Sequence, residues 1–292
     1  MNEARLRLFD ALEPGDTFWA TELAEHGPDG TLTRILDGSA LSAKRNLARI
    51  RTRLLERDIS TLQGELAESG GRFITPESEE WPHQFDDLVA PPIGLIVKGD
   101  LPKCDAISLV GTRNPTPYGA RIASEFAAGF VDREFDVISG GAYGIDSHAH
   151  RGALAAEGRT TAVLASGIST RYPAGNERLF AEILESGALI SEVMPTQRAR
   201  PERFLTRNRL IAALGRATIV VEAAFRSGSL RTARDAAELL RVVLAVPGPI
   251  TSPTSDGCHR LIGERAAEIV TSVSDAFELI GARGCTLCSD GA

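Results

Sequence analysis

The sequence is poor in aromatic side chains: they make up 5% of 292 residues, with two tryptophans and three tyrosines. It has four cysteines, Cys104 in the body of the chain and three towards the end, too few and too scattered for a disulfide-stapled secreted domain. No window holds the roughly 20 uninterrupted apolar residues of a membrane helix. The first dozen residues scatter charges where a secretory signal carries an apolar stretch. A soluble, cytoplasmic protein is therefore expected, with no membrane partner. Excess positive charge is missing too, because the formal net charge is −7. Taken whole, that value counts against a nucleic-acid partner, whose binding domains are often basic. The Gly-x-x-x-x-Gly-Lys pattern is absent, and Gly140-Gly141-Ala142-Tyr143-Gly144 lacks the dinucleotide spacing. Neither a P-loop triphosphate nor a nicotinamide dinucleotide is supported, and no cofactor is expected.

What is present is a 43% hydrophobic chain long enough for one large domain and one small one. Net charge is a sum, whereas a binding face is local. Between 34 and 57, seven basic residues (Arg34, Lys44, Arg45, Arg49, Arg51, Arg53, Arg57) face two acids, a net of +5. Between 198 and 241, ten arginines face four acids, a net of +6. Nearly all the cations are arginine, whose planar fork suits phosphate.

Leu6, Phe9 and Leu12, then Leu47, Ile50, Leu54 and Leu55, fall at helical spacing. Gly and Pro punctuate the stretch between, so short helices joined by turns are expected over 1–57, and 58–80 is polar and ambiguous. From about 93, short apolar runs alternate with helix-length segments: Ile93–Val97, Ala106–Val110, Phe135–Ile138, Thr161–Ala165, Ala188–Ser191, Ala217–Val221 and Val242–Val246. Lacking period-two alternation, they read as strands buried on both faces. The expected class is α/β, a doubly wound, mostly parallel sheet behind a small helical N-terminal domain. The expected division is 1–70 for helical domain and linker, 71–282 for the core, and 283–292 for a flexible tail.

Open parallel sheets bind ligands beyond the carboxyl ends of their strands. Three runs are followed there by small-residue loops: Gly111-Thr112-Arg113, then Ser139-Gly140-Gly141-Ala142-Tyr143-Gly144, then Ser227-Gly228-Ser229. Small residues let backbone amides approach an anion, and the following helix adds its positive end. Glycine-rich turns are common in any α/β fold, so one such loop means little and three suggest several phosphates. In Phe204-Leu205-Thr206-Arg207-Asn208-Arg209-Leu210-Ile211, a helix with Phe204, Leu210, Ile211 and Leu214 inward sends Arg203, Arg207 and Asn208 to other faces, with Arg209 nearby. Forked donors beside an amide fit phosphate contacts, with the amide reading a base or pinning a loop.

These segments, with Tyr172-Pro173, Asn176, Ser191-Glu192, Val221-Glu222-Ala223 and Val246-Pro247-Gly248, resemble the DprA/Smf family of DNA-processing proteins. The motifs run in order from about 81 to 281. The resemblance implies an extended Rossmann-like fold that binds single-stranded DNA, forms a homodimer and helps load a RecA-type recombinase in natural transformation, without catalytic turnover. It implies a DNA pocket built from Arg113, the Ser139–Gly144 loop, Arg207, Arg209 and Ser227–Ser229, with Arg200 or Arg203 as a further basic residue. Leu205 stands where the family usually has proline. Many members carry a C-terminal winged helix; here the sequence ends about ten residues past the core, so none is expected.

A different class is also open. Related folds include phosphoribohydrolases of nucleotides, and Glu222, Asp146 and His148 offer an acid–base set, although the glycine pattern of those hydrolases is missing. Cys285 and Cys288, with Cys258 and His259 upstream, offer only half the pattern of a zinc site, and no metal is expected.

Overall fold

The computed structural model describes residues 2–40, 47–102 and 105–282. They fall into two compact units, 1–99 with 164–171 and 189–207, and 100–163 with 172–188 and 208–292. Two later stretches of chain, 164–171 and 189–207, join the N-terminal helices in the first unit.

In the first unit, short polar side chains start the helices. Asn2 accepts the Arg5 amide ahead of α1 (Glu3–Ala11), and Asp16 accepts that of Phe18 ahead of α2 (Thr17–Asp37). Helix α2 breaks at Gly27, whose φ of 65° is followed by Pro28, and ends at left-handed Gly38. Then come α3 (Leu47–Glu56) and α4 (Ile59–Ser69), the latter capped by Asp58 in the stretch that sequence left ambiguous. Leu8, Leu12, Trp19, Ile35 and Leu54 form their shared core. Strand β1 (Arg72–Ile74) pairs antiparallel with β2 (Leu95–Gly99), Phe73 opposite Ile96.

Much of the N-terminal basic cluster is spent on this unit. The Asp10 carboxylate accepts Arg53 Nε at 2.9 Å and Arg57 Nη1 at 2.5 Å. Arg34 Nε donates to Glu22 at 2.9 Å, and Arg51 donates to the Leu36 carbonyl. Lys44 and Arg45 lie outside the described residues. Glu65 accepts the Thr196 amide at 2.9 Å and its hydroxyl at 2.6 Å, and also pairs with Arg57. Burial alone would raise its pKa, but the Thr196 hydrogen bonds and Arg57 outweigh burial and hold the carboxyl below its ordinary value. A carboxyl depressed in the folded state stabilises it above the unfolded pKa, and the benefit is lost as pH falls through the folded value. Stability measured by denaturant titration is therefore expected to decline on acidification below about pH 4.5, with a shallower decline in Glu65→Gln.

The second unit opens with β3 (Ala106–Val110), α5 (Pro117–Val131), β4 (Asp136–Ser139), α6 (Ile145–Ala155), β5 (Thr160–Leu164) and α7 (Glu177–Ser186). Strand β6 (Ala188–Ser191) passes from Leu189 onward into the first unit, and α8 (Pro201–Leu214) begins there. The chain continues through β7 (Ala217–Val220), α9 (Ser229–Glu238), β8 (Val242–Ala245), α10 (Asp256–Gly263), β9 (Glu268–Ile269) and α11 (Val273–Ala282). Within this unit the strands run in the order β5-β4-β3-β7-β8-β9, every pair parallel. Every residue of β3, β4, β7 and β8 is buried, as continuous apolar runs require. Ile107, Leu109, Ile219 and Leu244 pack with Phe126, Phe130 and Ala149 of the flanking helices.

The winding reverses between β3 and β7: β4 and β5 follow on one side of β3, and β8 and β9 beyond β7 on the other. Two connections leaving in opposite directions open a crevice at the carboxyl ends of β3 and β7.

Candidate nucleic-acid interface

The loops after β3, β4 and β7 meet at that crevice. The Thr112 amide donates to the Glu222 carbonyl at 2.7 Å, joining the loops after β3 and β7, and the Ile145 amide donates to the Thr112 carbonyl at 3.1 Å. Gly144 makes the second junction possible. Its φ is 82°, and a Cβ there would lie 2.3 Å from the Thr112 carbonyl oxygen and 2.6 Å from the Arg113 carbonyl carbon. Arg113 is thereby carried on a braced turn and is exposed.

Glu222 is the central brace. One carboxylate oxygen accepts the Thr116 amide at 2.9 Å, and the other accepts the Thr116 hydroxyl at 2.7 Å and the Thr254 hydroxyl at 3.2 Å. Thr116 caps α5, so the acid sits against a positive helix end. Asp146 has a similar duty, accepting the Gly140 amide at 3.1 Å and the Ala142 amide at 3.3 Å from its place in the first turn of α6. His148 titrates below an ordinary imidazole because it is partly buried and, secondarily, because Arg151 is near. Asp146 and Glu222 thus hold loops in shape, which is a scaffolding duty.

Several residues expected at the site also carry bonds within the fold. Ser139 is fully buried and donates its hydroxyl to the Leu109 carbonyl at 2.6 Å, stitching β4 to β3. Gly140 and Ala142 give their amides to Asp146. Gly141 offers its carbonyl to Asn176 Nδ2 at 2.9 Å. Asn208 pins a loop, since its Nδ2 donates to the Gly228 carbonyl at 3.2 Å. The Ser227 hydroxyl lies 2.7 Å from that of Ser229, itself buried, and Gly228 between them is exposed.

Helix α8 corrects the expected facing. Arg203, Arg207 and Asn208 are buried with Leu210 and Ile211, whereas Phe204 is only half-buried. Positions 203, 207, 210, 211 and 214 make one stripe at helical spacing, and the two arginines extend it. Arg203 donates twice to Glu13 within the first unit, each time at 3.0 Å. Arg207, 7% exposed, and Arg209 also have partners in the fold. Arg209 faces Asp235, whose pKa burial raises and whose charged form Arg231 and Arg209 favour.

Sequence reasoning passed over Arg226, which is exposed in the loop after β7. It also passed over Arg260, whose guanidinium stacks 4.6 Å from the ring centroid of exposed Phe225. Like Arg113, Arg226 is the first cation beyond a buried strand, a signal that could have found it. All three tyrosines of the chain, Tyr118, Tyr143 and Tyr172, are exposed in this unit. Tyr143 accepts the Gly175 amide at 3.2 Å, and Tyr118 donates to the Pro247 carbonyl at 2.9 Å, so two rings are held in place.

Cys258 is fully buried, its thiol pushed up to about 12 mainly by that burial, so it is no nucleophile. Among the described residues no group of three His, Cys, Asp or Glu is placed to hold a metal, and Cys104, Cys285 and Cys288 lie outside them, as does the 283–292 segment read as a tail. Among the described residues no helix is long and apolar enough to cross a membrane.

A parallel sheet with braced small-residue loops at its switch point defines a Rossmann-like protein. The family model for DNA recombination-mediator protein A matches residues 72–281, and the chain belongs to that family. A DNA processing protein DprA from Mycobacterium tuberculosis is 46% identical over 231 residues, 74% of this chain and 59% of that protein. This chain thus spans somewhat under two thirds of that relative. The crystal structure of DNA processing protein A from Streptococcus pneumoniae superposes with a TM-score of 0.82 at 31% identity, covering 95% of this chain and 97% of that one. DNA processing protein A from Helicobacter pylori, solved to describe its mode of binding single-stranded DNA, matches with a TM-score of 0.66 at 27% identity, over 74% and 99% of the two chains.

Proposed function

We propose that this chain binds single-stranded DNA at the switch-point edge of its second unit, acts in the cytoplasm as a homodimer, and passes the strand to a RecA-type recombinase in homologous recombination and natural transformation. The observation that carries the reading is the pairing of two chemistries on one strand-end edge. Arg113 and Arg226 are exposed on the loops of the switch point, and Tyr118, Tyr143, Tyr172 and Phe225 are exposed in the same unit. Single strands are held by cations along the backbone and by rings on which unpaired bases stack, each base contributing about 1–3 kcal/mol. Duplex DNA keeps its bases stacked on each other and gains nothing from the rings. The single-strand binding of the Helicobacter pylori protein supports the choice of ligand. The residues proposed to touch the strand are Gly111, Thr112 and Arg113, Ala142 to Gly144, and Arg226 to Gly228. Ser139, Asn208 and Ser229 shape the loops of the site without reaching the strand.

A gel-shift series with oligothymidine and a duplex of equal length, run across salt concentrations, tests this. Preference for the single strand is expected, with affinity falling linearly in log salt at about 0.7 per phosphate neutralised. Equal affinity for the two, or binding indifferent to salt, would refute it.

A further inference from the structure

The loop after β7 narrows to a tight turn. The Ser227 amide donates to the Ala224 carbonyl at 2.9 Å, which puts Phe225 and Arg226 at the two central positions, both exposed. Backbone bonds fix the root of this turn to the segment that starts α10. The Ala223 amide donates to the Thr254 carbonyl at 2.7 Å, and the Gly257 amide donates to the Ala223 carbonyl at 2.8 Å. The approach is close because position 257 has no side chain: a Cβ there would lie 2.6 Å from the Ala223 carbonyl oxygen and 3.0 Å from that of Ala224. Arg260 follows three residues later on the same face of α10, and its guanidinium lies 4.6 Å from the centroid of the Phe225 ring. One face of the ring is thus backed by a cation. Phe225 nevertheless stays 53% exposed, which leaves the opposite face to solvent. Arg260 is itself answered by Glu264, Nε to Oε1 at 2.5 Å, so the support behind the ring adds little net charge.

We propose that Phe225 and Arg260 form a base subsite where the loops after β7 and β8 meet: an unpaired base stacks on the open face of Phe225, and Arg260 is a positioning residue that steadies the ring from behind and takes no phosphate. The inference rests on the single-stranded DNA reading and gives one of its rings a defined place and partner. An unsupported surface ring loses rotamer freedom when a base lands on it. Here the bonded turn and the cation have already restricted the ring, so stacking orders less. Affinity gained at this point is insensitive to salt, because a neutral ring meets a neutral base and no counterion is released. The two basic groups around the turn thereby differ in duty: Arg226 meets the backbone, and Arg260 serves the ring.

The test titrates the full chain and its variants onto fluorescent oligothymidine at several salt concentrations, with thermal unfolding as a check on folding. Phe225→Ala is expected to weaken binding about tenfold, with the slope of log affinity against log salt unchanged, and Phe225→Trp to restore it. Arg260→Gln is expected to weaken binding about threefold, again at unchanged slope, whereas Arg260→Lys, which keeps a cation behind the ring, binds nearly as the wild type does. Wild-type affinity in folded Phe225→Ala or Arg260→Gln overturns the proposal and leaves the DNA reading standing. So does a slope reduced by about 0.7 in Arg260→Gln, which would make that residue a phosphate ligand. Absence of binding by the wild type overturns the two together. Should a variant not fold, ultraviolet crosslinking of the unmodified chain to oligothymidine carrying iododeoxyuridine serves instead: a crosslink at Phe225 is expected, and its absence with the strand bound overturns the proposal.

Discussion

Arg113→Glu is expected to weaken oligothymidine binding by about tenfold or more at low salt and to flatten its salt dependence, with thermal unfolding unchanged. Reversal removes one phosphate partner and sets a like charge against the strand. Arg113 is exposed on a loop whose shape is set by backbone bonds at Thr112 and by Gly144. Its side chain takes no part in those backbone bonds, and a change at an exposed surface position stays within about 0.5 kcal/mol in stability. Full affinity in the variant, read by fluorescence anisotropy, would remove Arg113 from the site.

Gly144→Ala is expected to do the opposite first and the same second. With φ at 82° and ψ at −130°, Gly144 occupies backbone space that alanine enters only under strain. The added carbon would also press on Thr112 O at 2.3 Å and on Arg113 Cα at 2.8 Å, both backbone atoms. Strain and overpacking together cost about 2–5 kcal/mol, a large part of the 5–15 kcal/mol that usually separates folded from unfolded chains. The atoms pushed aside belong to Thr112 and Arg113, so DNA affinity is expected to fall as well. A midpoint in denaturant close to that of the wild type would mean that the two loops are not locked together as described.

The two variants separate what a residue does from what it supports. Arg113 and Gly144 fall in neighbouring motifs of the same sequence pattern, and nothing in the pattern ranks them. The ranking comes from atoms: an exposed guanidinium in one case, a missing Cβ against a neighbouring backbone in the other.

Strands β2 to β8 were legible because burial leaves an unbroken apolar run, whereas β1 and the exposed β9 had no such run. Ala106–Val110 and Ala188–Ser191 coincide with β3 and β6, and the other runs match their strands to within one or two residues. Helix α4 was not legible: Leu62 and Leu66 are its only buried apolar positions within a polar segment. The loops beyond β3, β4 and β7 were legible as loops, but their duties were not. Ser139 looked like a phosphate ligand and spends its hydroxyl on Leu109, while Asp146 looked like a helix cap or an acid and closes the glycine loop from within. Type and spacing are identical for a side chain that faces solvent and one that turns inward, so only packing tells them apart.

The net charge of −7 illustrates the same boundary. The sequence by itself determined the parallel α/β core, the family and the small-residue loops at the strand ends, because buried strands and the small residues that follow them are written in consecutive positions. It also located two basic stretches, but not which of their arginines are available. Only the tertiary structure decided that, since the acids that claim them are remote in the chain: Glu13 reaches Arg203 across 190 residues and Asp10 reaches Arg53 across 43. An ion pair depends on distance in space, and composition carries no record of it.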